Sequence, residues 1–285
     1  MVSTKETVRS HYAAALQRCL AIWSKLDDGD WQSGTPGIKW PARDYLAHLV
    51  TNTEMEILPT TSASIAGQAA DIPGLASRLD IDTFNQTGVD SVADLTPAEL
   101  LERFRATFQS HIQMLEGLID EDLKRPAYNP GLRREATIAD LFSMGFLHLP
   151  LHYQDIRRAV RRRRRLPHWM ELASPEEVHE ALSQAFSIMP LFYWPERGGD
   201  LRATYLFDLE GEGGSQWWVA IDHGECTSGE GLPANADCRF RTRPAYWLDL
   251  QTKELNPTWA LLSRRLRLKG KLGLALKLNK LFAIT

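Results

Sequence analysis

Cysteine is scarce in this chain of 285 residues. The three cysteines, Cys19, Cys226 and Cys238, lie far apart or without a close partner, and none forms a C-x-x-C pair. An odd number without close pairing does not describe a disulfide framework or a zinc ribbon. We therefore expect reduced thiols and a cytoplasmic protein.

Long apolar runs are also missing. No stretch approaches the roughly 20 residues that a helix needs to cross a bilayer, so we predict no membrane span. Residues 1–10 contain three charged side chains and no apolar core, so we expect no secretory signal there. With 44% apolar and 24% charged residues, the composition excludes a disordered or collagen-like chain.

Acidic residues are absent from two basic segments. Residues 157–165 hold seven arginines, and residues 255–285 hold seven lysines and arginines. The rest is acidic, with net charges of −8 over residues 1–156 and −9 over residues 166–254. This layout predicts two domains, 1–165 and 166–285, joined near the arginine run.

The arginine run has two interpretations. It could contact the phosphates of a nucleic acid, or it could pair with acidic surfaces of the protein itself. The run has no interleaved aromatic residues and continues a predicted helix, whose C-terminal end favours cations. We therefore favour pairing within the protein and predict no nucleic-acid partner.

Apolar residues recur every three to four positions in the first half, which predicts helices. Four long helices are expected. The first covers about 4–26, and the second begins near Pro41 and ends before Pro59. The third begins at the capping box of Thr96 and Glu99, and the fourth runs from Thr137 to the arginines. The weakly patterned residues 60–95 predict a long crossover with a short helix near Ile81–Val89. Four long helices with one long connection describe a four-helix bundle.

The pattern changes after Pro167 to short alternating runs, which predict strands. A helix is expected after the cap Ser174, and further helices at Pro244–Leu250 and Leu272–Phe282. The expected strands are Leu201–Leu209, Gln216–Ile221, Glu225–Ser228, Asp237–Thr242 and Leu266–Lys269. The second half is therefore predicted to be a smaller α+β domain.

Three of the eight histidines form a candidate metal site. His148 and His152 are four residues apart, which places both imidazoles on one helix face. His48 lies in the apolar stripe of the second helix, so the three rings could converge in the bundle core. Three neutral nitrogens and an open fourth position suit a catalytic divalent cation, zinc above all. The alternative is ordinary packing or a solvated helix face.

Two further residues bear on this site. Asp155 follows His152 by three residues, so it could orient that imidazole or could pair with a neighbouring arginine. His111 on the third long helix is the substitute ligand if one of the three histidines is misassigned.

The sequence around these histidines resembles a known family. The segments PGIKWPARDYLAHL at 36–49, DTFN at 82–85, TPAELL at 96–101 and FLHLPLHYQDIRRA at 146–159 occur in the order of DinB-like superfamily motifs. The match is closest to the mycothiol-dependent maleylpyruvate isomerase branch and covers residues 5–160. The resemblance implies a metal-binding four-helix bundle.

The resemblance also implies the ligands and the chemistry. His48, His148 and His152 fall on the family's metal positions, although the isomerase itself carries a carboxylate where His148 stands. The histidine is similar to that of three-histidine members, which include thiol transferases. A thiol S-transferase or a cis-trans isomerase is therefore implied, with mycothiol or another thiol such as ergothioneine as cosubstrate.

The second half resembles the sterol carrier protein fold. The resemblance rests on Trp217-Trp218 in the hairpin, DCRFRT at 237–242 and LRLKGK at 266–271. It implies either a domain that closes the active site of the bundle or a carrier of lipid or another hydrophobic ligand.

Four residues are candidates for binding an anionic electrophilic substrate. Arg78 and Asn85 lie in the crossover, near the bundle mouth in the family that the sequence resembles. Arg239 and Arg241 alternate on one predicted strand and so share a face. Each could equally be a surface group. The expected partners are a small thiol and its electrophile, and the protein is expected to be a monomer or a homodimer.

Overall fold

The computed structural model describes residues 4–282, apart from the side chain of Asn279. The described residues form two compact units that divide between Leu172 and Ala173. The first is helical and the second combines helices with a five-stranded sheet, which confirms the predicted α plus α+β architecture. None of the helices in the described part of the chain has the length and hydropathy needed to cross a membrane.

The first unit is built on four long helical segments. Its helices are α1 Lys5–Trp23, α2 Asp28–Trp31, α3 Ala42–Asn52, α4 Leu58–Ile65, α5 Ile81–Asp90, α6 Pro97–Gln113, α7 Ile138–Val160 and α8 Trp169–Leu172. Helices α1 and α3 each pack against both α6 and α7, which makes the predicted bundle. The start of α6 is fixed by the capping box of Thr96 and Glu99, and that of α7 by Thr137 and Asp140.

The predicted end of the second long helix before Pro59 is wrong. A π-helical segment, Thr53–Ile57, joins α3 to α4, so the chain stays helical through Pro59 to Ile65. Proline lacks an N–H and clashes with the carbonyl four residues back in a regular α-helix. In the π-helical segment before Pro59 the backbone hydrogen bonds span five residues instead of four. The helix can therefore continue past the proline.

A two-stranded hairpin before α7 was not predicted. Its strands, β1 Pro126–Asn129 and β2 Arg134–Thr137, pair antiparallel, and Arg133 in the turn has a φ of +51°. Each strand has only four residues, too few for a periodic pattern to show. The predicted crossover helix is present as α5.

The second unit carries all five predicted strands, and two of its helices, α10 and α12, were not predicted. The strands are β3 Arg202–Leu209, β4 Gln216–Asp222, β5 Glu225–Glu230, β6 Cys238–Thr242 and β7 Arg267–Gly270. The helices are α9 Pro175–Ile188, α10 Pro195–Gly198, α11 Pro244–Gln251, α12 Pro257–Leu262 and α13 Leu272–Phe282. The sheet order is β5-β4-β3-β6-β7, and only β3 and β6 run parallel.

Aromatic rings fill the space between this sheet and its helices. Phe186 of α9 stacks on Trp217 at 5.1 Å and lies 5.0 Å from Phe207 between ring centroids. Trp247 of α11 contacts the same cluster, 5.5 Å from Phe186. These rings form a packed core in the second unit.

Part of the arginine run pairs with acidic groups of its own unit. Arg163 and Arg164 reach Asp27 and the buried Asp30, with a distance of 2.7 Å from Arg164 Nε to Asp30 Oδ2. These contacts agree with pairing within the protein as the use of these two arginines. All three cysteines are unbridged, as predicted.

Candidate metal centre

Helix α3 places His48 inside the bundle. Apolar and aromatic neighbours cover this face of the helix, and His48 is only 4% exposed. The ring of Trp40 lies 5.1 Å from that of His48, and Tyr45 lies 5.7 Å from His152 between centroids. These aromatic rings cover two sides of the site.

Helix α7 supplies the other two histidines from one face. The ring centroids of His148 and His152 are 5.5 Å apart, and those of His48 lie 5.8 Å from His148 and 4.8 Å from His152. One ring nitrogen from each histidine can be chosen so that all three lie within 4.8 Å of one another. The structure thus brings together the three histidines that the sequence singled out.

Asp155 orients one member of this cluster. Its Oδ2 lies 3.0 Å from Nδ1 of His152, and its Oδ1 lies 3.7 Å from Nη1 of Arg158. Both alternatives from the sequence therefore hold at once. A carboxylate on Nδ1 fixes the tautomer of an imidazole and leaves Nε2 free to bind a metal.

The other two histidines keep unpaired ring nitrogens. Nδ1 of His48 and Nδ1 of His148 are buried and have no hydrogen-bond partner among the described residues. Burial, with a smaller contribution from the neighbouring histidines, lowers the pKa of His148 to about 3 and holds the pKa of His48 well below its usual range. Both rings are therefore neutral at pH 7, the form that binds metals.

His111 is buried in the same bundle but has a different environment. Its Nδ1 lies 3.0 Å from the hydroxyl of Tyr12, its Nε2 lies 3.1 Å from Oγ1 of Thr61, and its ring stacks on Phe142. Gly145 leaves the space for it, because a Cβ there would lie 2.7 Å from the ring. With both nitrogens partnered, His111 is a structural histidine in this arrangement rather than a replacement ligand.

The crossover candidates lie on the bundle unit. Arg78 is buried, and its Nε donates to the carbonyl of Leu132 at 2.6 Å. Asn85 is half-buried on α5, where its Oδ1 accepts from Nδ2 of Asn52 at 3.4 Å. Their roles in binding substrate remain predictions.

The sheet candidates share one carboxylate. Arg239 and Arg241 both donate to Asp208, and the distance from Arg241 Nε to Asp208 Oδ2 is 2.9 Å. Their common face on β6 is as predicted, because the parallel pairing of β3 and β6 sets Asp208 opposite Arg241. The structure therefore gives both arginines a partner within the second unit, and their catalytic role remains a prediction.

The sequence analysis missed Asn52 and Glu56. They follow His48 by four and eight residues and so continue its helix face, which was the available signal. Nδ2 of Asn52 donates to Oε2 of Glu56 at 2.9 Å.

Comparison with known proteins identifies the families of the two regions of the chain. Residues 11–156, just over half of the chain, match the family model of the DinB superfamily, and the chain belongs to that superfamily. Residues 195–283 match the SCP-2 sterol transfer family, so a sterol-carrier domain follows the bundle.

Solved structures share the fold. The mycothiol-dependent maleylpyruvate isomerase matches with a TM-score of 0.53 and 13% identity, over 87% of this chain and 88% of that one. The sibling lethal factor precursor DfsB matches with a TM-score of 0.50 and 17% identity, over 58% of this chain and all of that one. The isomerase match covers most of both chains, so the two share their architecture.

The curated relatives share a much shorter region. Hydroxysteroid dehydrogenase-like protein 2 of Pongo abelii is 35% identical over 81 residues, which is 28% of this chain and 19% of that protein. The Homo sapiens protein of the same name gives the same figures. The chain thus covers about a fifth of the length of these relatives.

Proposed function

We propose that this protein is a metal-dependent enzyme that activates a low-molecular-weight thiol for addition to an electrophilic substrate. The observation that carries this proposal is the convergence of His48, His148 and His152, with ring nitrogens within 4.8 Å of one another. Three histidines with an open fourth position favour zinc. The unbridged cysteines support a cytoplasmic location, and we propose a monomer or a homodimer.

The donor set fits a divalent cation. Two of the rings have buried nitrogens without a partner within residues 4–282, which is costly unless another group satisfies them. The third ring is oriented by Asp155, the arrangement that metal-binding histidines commonly have. The low pKa of His148 keeps this imidazole neutral over the physiological range.

When bound, the cation would lower the pKa of a coordinated thiol, so that the thiolate predominates near neutral pH. The thiolate sulfur then forms a bond to an electrophilic carbon. In a transferase, the leaving group departs with its bonding pair and the thiol proton is released. In an isomerase, addition turns a double bond into a single bond, rotation follows, and breaking of the C–S bond returns the thiol.

The choice between these two reactions rests on the substrate. Among the candidates for binding its carboxylates, Nε of Arg239 is buried without a hydrogen-bond partner in the described chain, so it offers a donor that an anion could use. We propose Arg78, Asn85 and Arg241 as further contacts. The shared fold with the mycothiol-dependent isomerase supports mycothiol as the thiol, and ergothioneine is the alternative.

Metal analysis with a thermal-shift screen tests this proposal. Full-length protein loaded with zinc should bind one equivalent, and mycothiol or ergothioneine should raise its melting temperature only when the metal is present. His152→Ala should lose both effects, whereas His223→Ala, an exposed histidine of the other unit, should keep them. A wild-type protein that binds no divalent cation and responds to no thiol would refute the proposal.

A second function is favoured by the match to the SCP-2 sterol transfer family, namely carriage of a lipid or another hydrophobic ligand by the C-terminal unit. The aromatic cluster of Phe186, Phe207 and Trp217 fills the sheet face, so a ligand would have to displace these rings. Extraction of the purified protein and mass spectrometry should then find a co-purified lipid. Finding none would count against this function.

A further inference from the structure

A polar cluster continues the helix face of His48 away from the histidine site. Asn52 lies one helical turn beyond His48, and Glu56 lies one turn further, in the π-helical segment. At 1.5 Å per residue, Glu56 is about 12 Å along the helix from His48. π-helical segments interrupt a helix at some cost and occur frequently at functional sites.

The facing elements close around Glu56. On α7, Met144 lies one turn before His148, and its sulfur is 3.7 Å from Nδ2 of Asn129. Asn129 is also near enough to the carboxylate of Glu56 to lower its pKa. Residues of α7, the hairpin and the π-helical segment therefore come together near this carboxylate, in the same unit as the histidine cluster.

The hairpin turn comes unusually close to Glu56. A Cβ on Gly131 would lie 2.5 Å from Oε1 of Glu56, so any larger residue there would push the carboxylate aside. The φ of Gly131 is not positive, and the close approach is therefore the reason for glycine at this position.

The polar groups of this cluster are incompletely paired among the described residues. Oδ1 of Asn52 is buried and has no hydrogen-bond partner in the part of the chain that the structure describes, and Asn52 is only 6% exposed. Burial raises the pKa of Glu56, and among residues 4–282 no lysine, arginine or histidine forms an ion pair with it. Glu54, two residues earlier, differs in having Arg103 as a partner at 2.6 Å.

A partly buried carboxylate without a cationic partner and a buried amide oxygen without a donor are both costly, and a cationic donor satisfies both. We propose that Asn52 and Glu56 bind the ammonium group of a small molecule whose sulfur lies at the three histidines. Glu56 and Asn85 are half-buried, whereas Asn52 is buried. This inference rests on the proposed function, because it assumes that the histidine site takes the sulfur.

A matched series of three thiols tests it. Zinc-loaded full-length protein is titrated calorimetrically with 6-amino-1-hexanethiol, 6-mercapto-1-hexanol and 6-mercaptohexanoate, which differ only in the terminal group. The wild type should bind the amine about tenfold more tightly than the alcohol, as expected for a hydrogen bond between charged groups, and the carboxylate least tightly.

Three variants test whether Glu56 causes the preference for the amine over the alcohol. Glu56→Gln should bind amine and alcohol equally and leave the affinity for the alcohol unchanged. Gly131→Ala, which keeps the charge but displaces the carboxylate, should reduce the preference for the amine. Glu54→Gln should keep it, since that carboxylate already has Arg103. Unchanged melting temperatures would show that the variants are folded.

The outcomes separate this inference from the proposed function. Equal binding of amine and alcohol by the wild type, or an unchanged preference in Glu56→Gln, would overturn the inference alone. Failure of all three thiols to bind the zinc-loaded protein would overturn the proposed function and this inference with it.

Discussion

His111 and the three clustered histidines lie in the same bundle, but their ring nitrogens differ in whether they have hydrogen-bond partners. Both nitrogens of His111 have partners, Tyr12 and Thr61. In the cluster, only His152 has one, Asp155, while Nδ1 of His48 and of His148 is unpaired among the described residues. Because buried polar groups are normally paired, an unpaired nitrogen distinguishes a candidate metal ligand from a structural histidine.

The largest expected effect is the loss of metal binding. Replacing His48, His148 or His152 by alanine should weaken zinc binding by more than about a hundredfold, since loss of a residue that merely supports a ligand already costs ten- to hundredfold. Zinc competition with a chromophoric chelator measures this. His111→Ala should bind zinc as tightly as the wild type. A comparable loss of zinc affinity in that variant would contradict the distinction between the clustered histidines and His111.

For the free energy of unfolding the order reverses, and His111 should matter more than the clustered histidines. His111→Ala should lower the free energy of unfolding by about 3 kcal/mol, because it leaves a cavity and two unpaired partners. In the metal-free protein, His152→Ala should cost much less, since His152 is partly exposed at the site. Urea unfolding followed by circular dichroism measures both. A metal-free His111→Ala protein as stable as the wild type would contradict its structural role.

A smaller effect on zinc affinity is expected at Asp155, which contacts His152. Asp155→Asn keeps the size of the side chain but removes the charge that holds His152, so zinc affinity should fall by about ten- to hundredfold. The same chelator competition provides the measurement, with Asp122→Asn as control, since Asp122 pairs with Arg125 and with none of the three histidines. An Asp155→Asn protein with wild-type affinity would leave the interaction without a role in metal binding.

The smallest effect is the pH dependence of stability. Burial lowers the pKa of His111 to about 3, whereas an unfolded histidine titrates near 6.5. Between these values the unfolded chain binds one more proton at this residue, so the free energy of unfolding falls as pH decreases, by up to about 1.4 kcal/mol per pH unit. His111→Gln should make this slope shallower by one proton in urea titrations of metal-free protein from pH 7 to 4. Identical slopes would contradict it.

Local sequence signals predicted most of the fold. The capping box of Thr96 and Glu99 predicted the start of α6, because both partners lie within four residues, and α7 begins after Thr137 as expected. The strands of the second unit followed from alternation. The π-helical segment before Pro59 was not predictable in this way, because a proline signal alone favours ending the helix.

The candidate site likewise has features that local signals predicted and features that depend on long-range contacts. The convergence of His48 with His148 and His152 followed from helix periodicity and from the family resemblance. The partner of His111 lies 99 residues away at Tyr12, and Asp208 meets Arg239 and Arg241 only through strand pairing. Such long-range partners decide which polar residues are satisfied, and a single sequence does not display them.

Cobalt substitution tests the central claim most directly. Full-length protein loaded with one equivalent of Co²⁺ should show the visible absorption of a tetrahedral site with nitrogen ligands. Addition of a thiol should produce a sulfur-to-cobalt charge-transfer band, which is absent from His152→Ala and retained in His111→Gln. Cobalt that binds equally well without His152, or that gives no such band with any small thiol, would contradict the account.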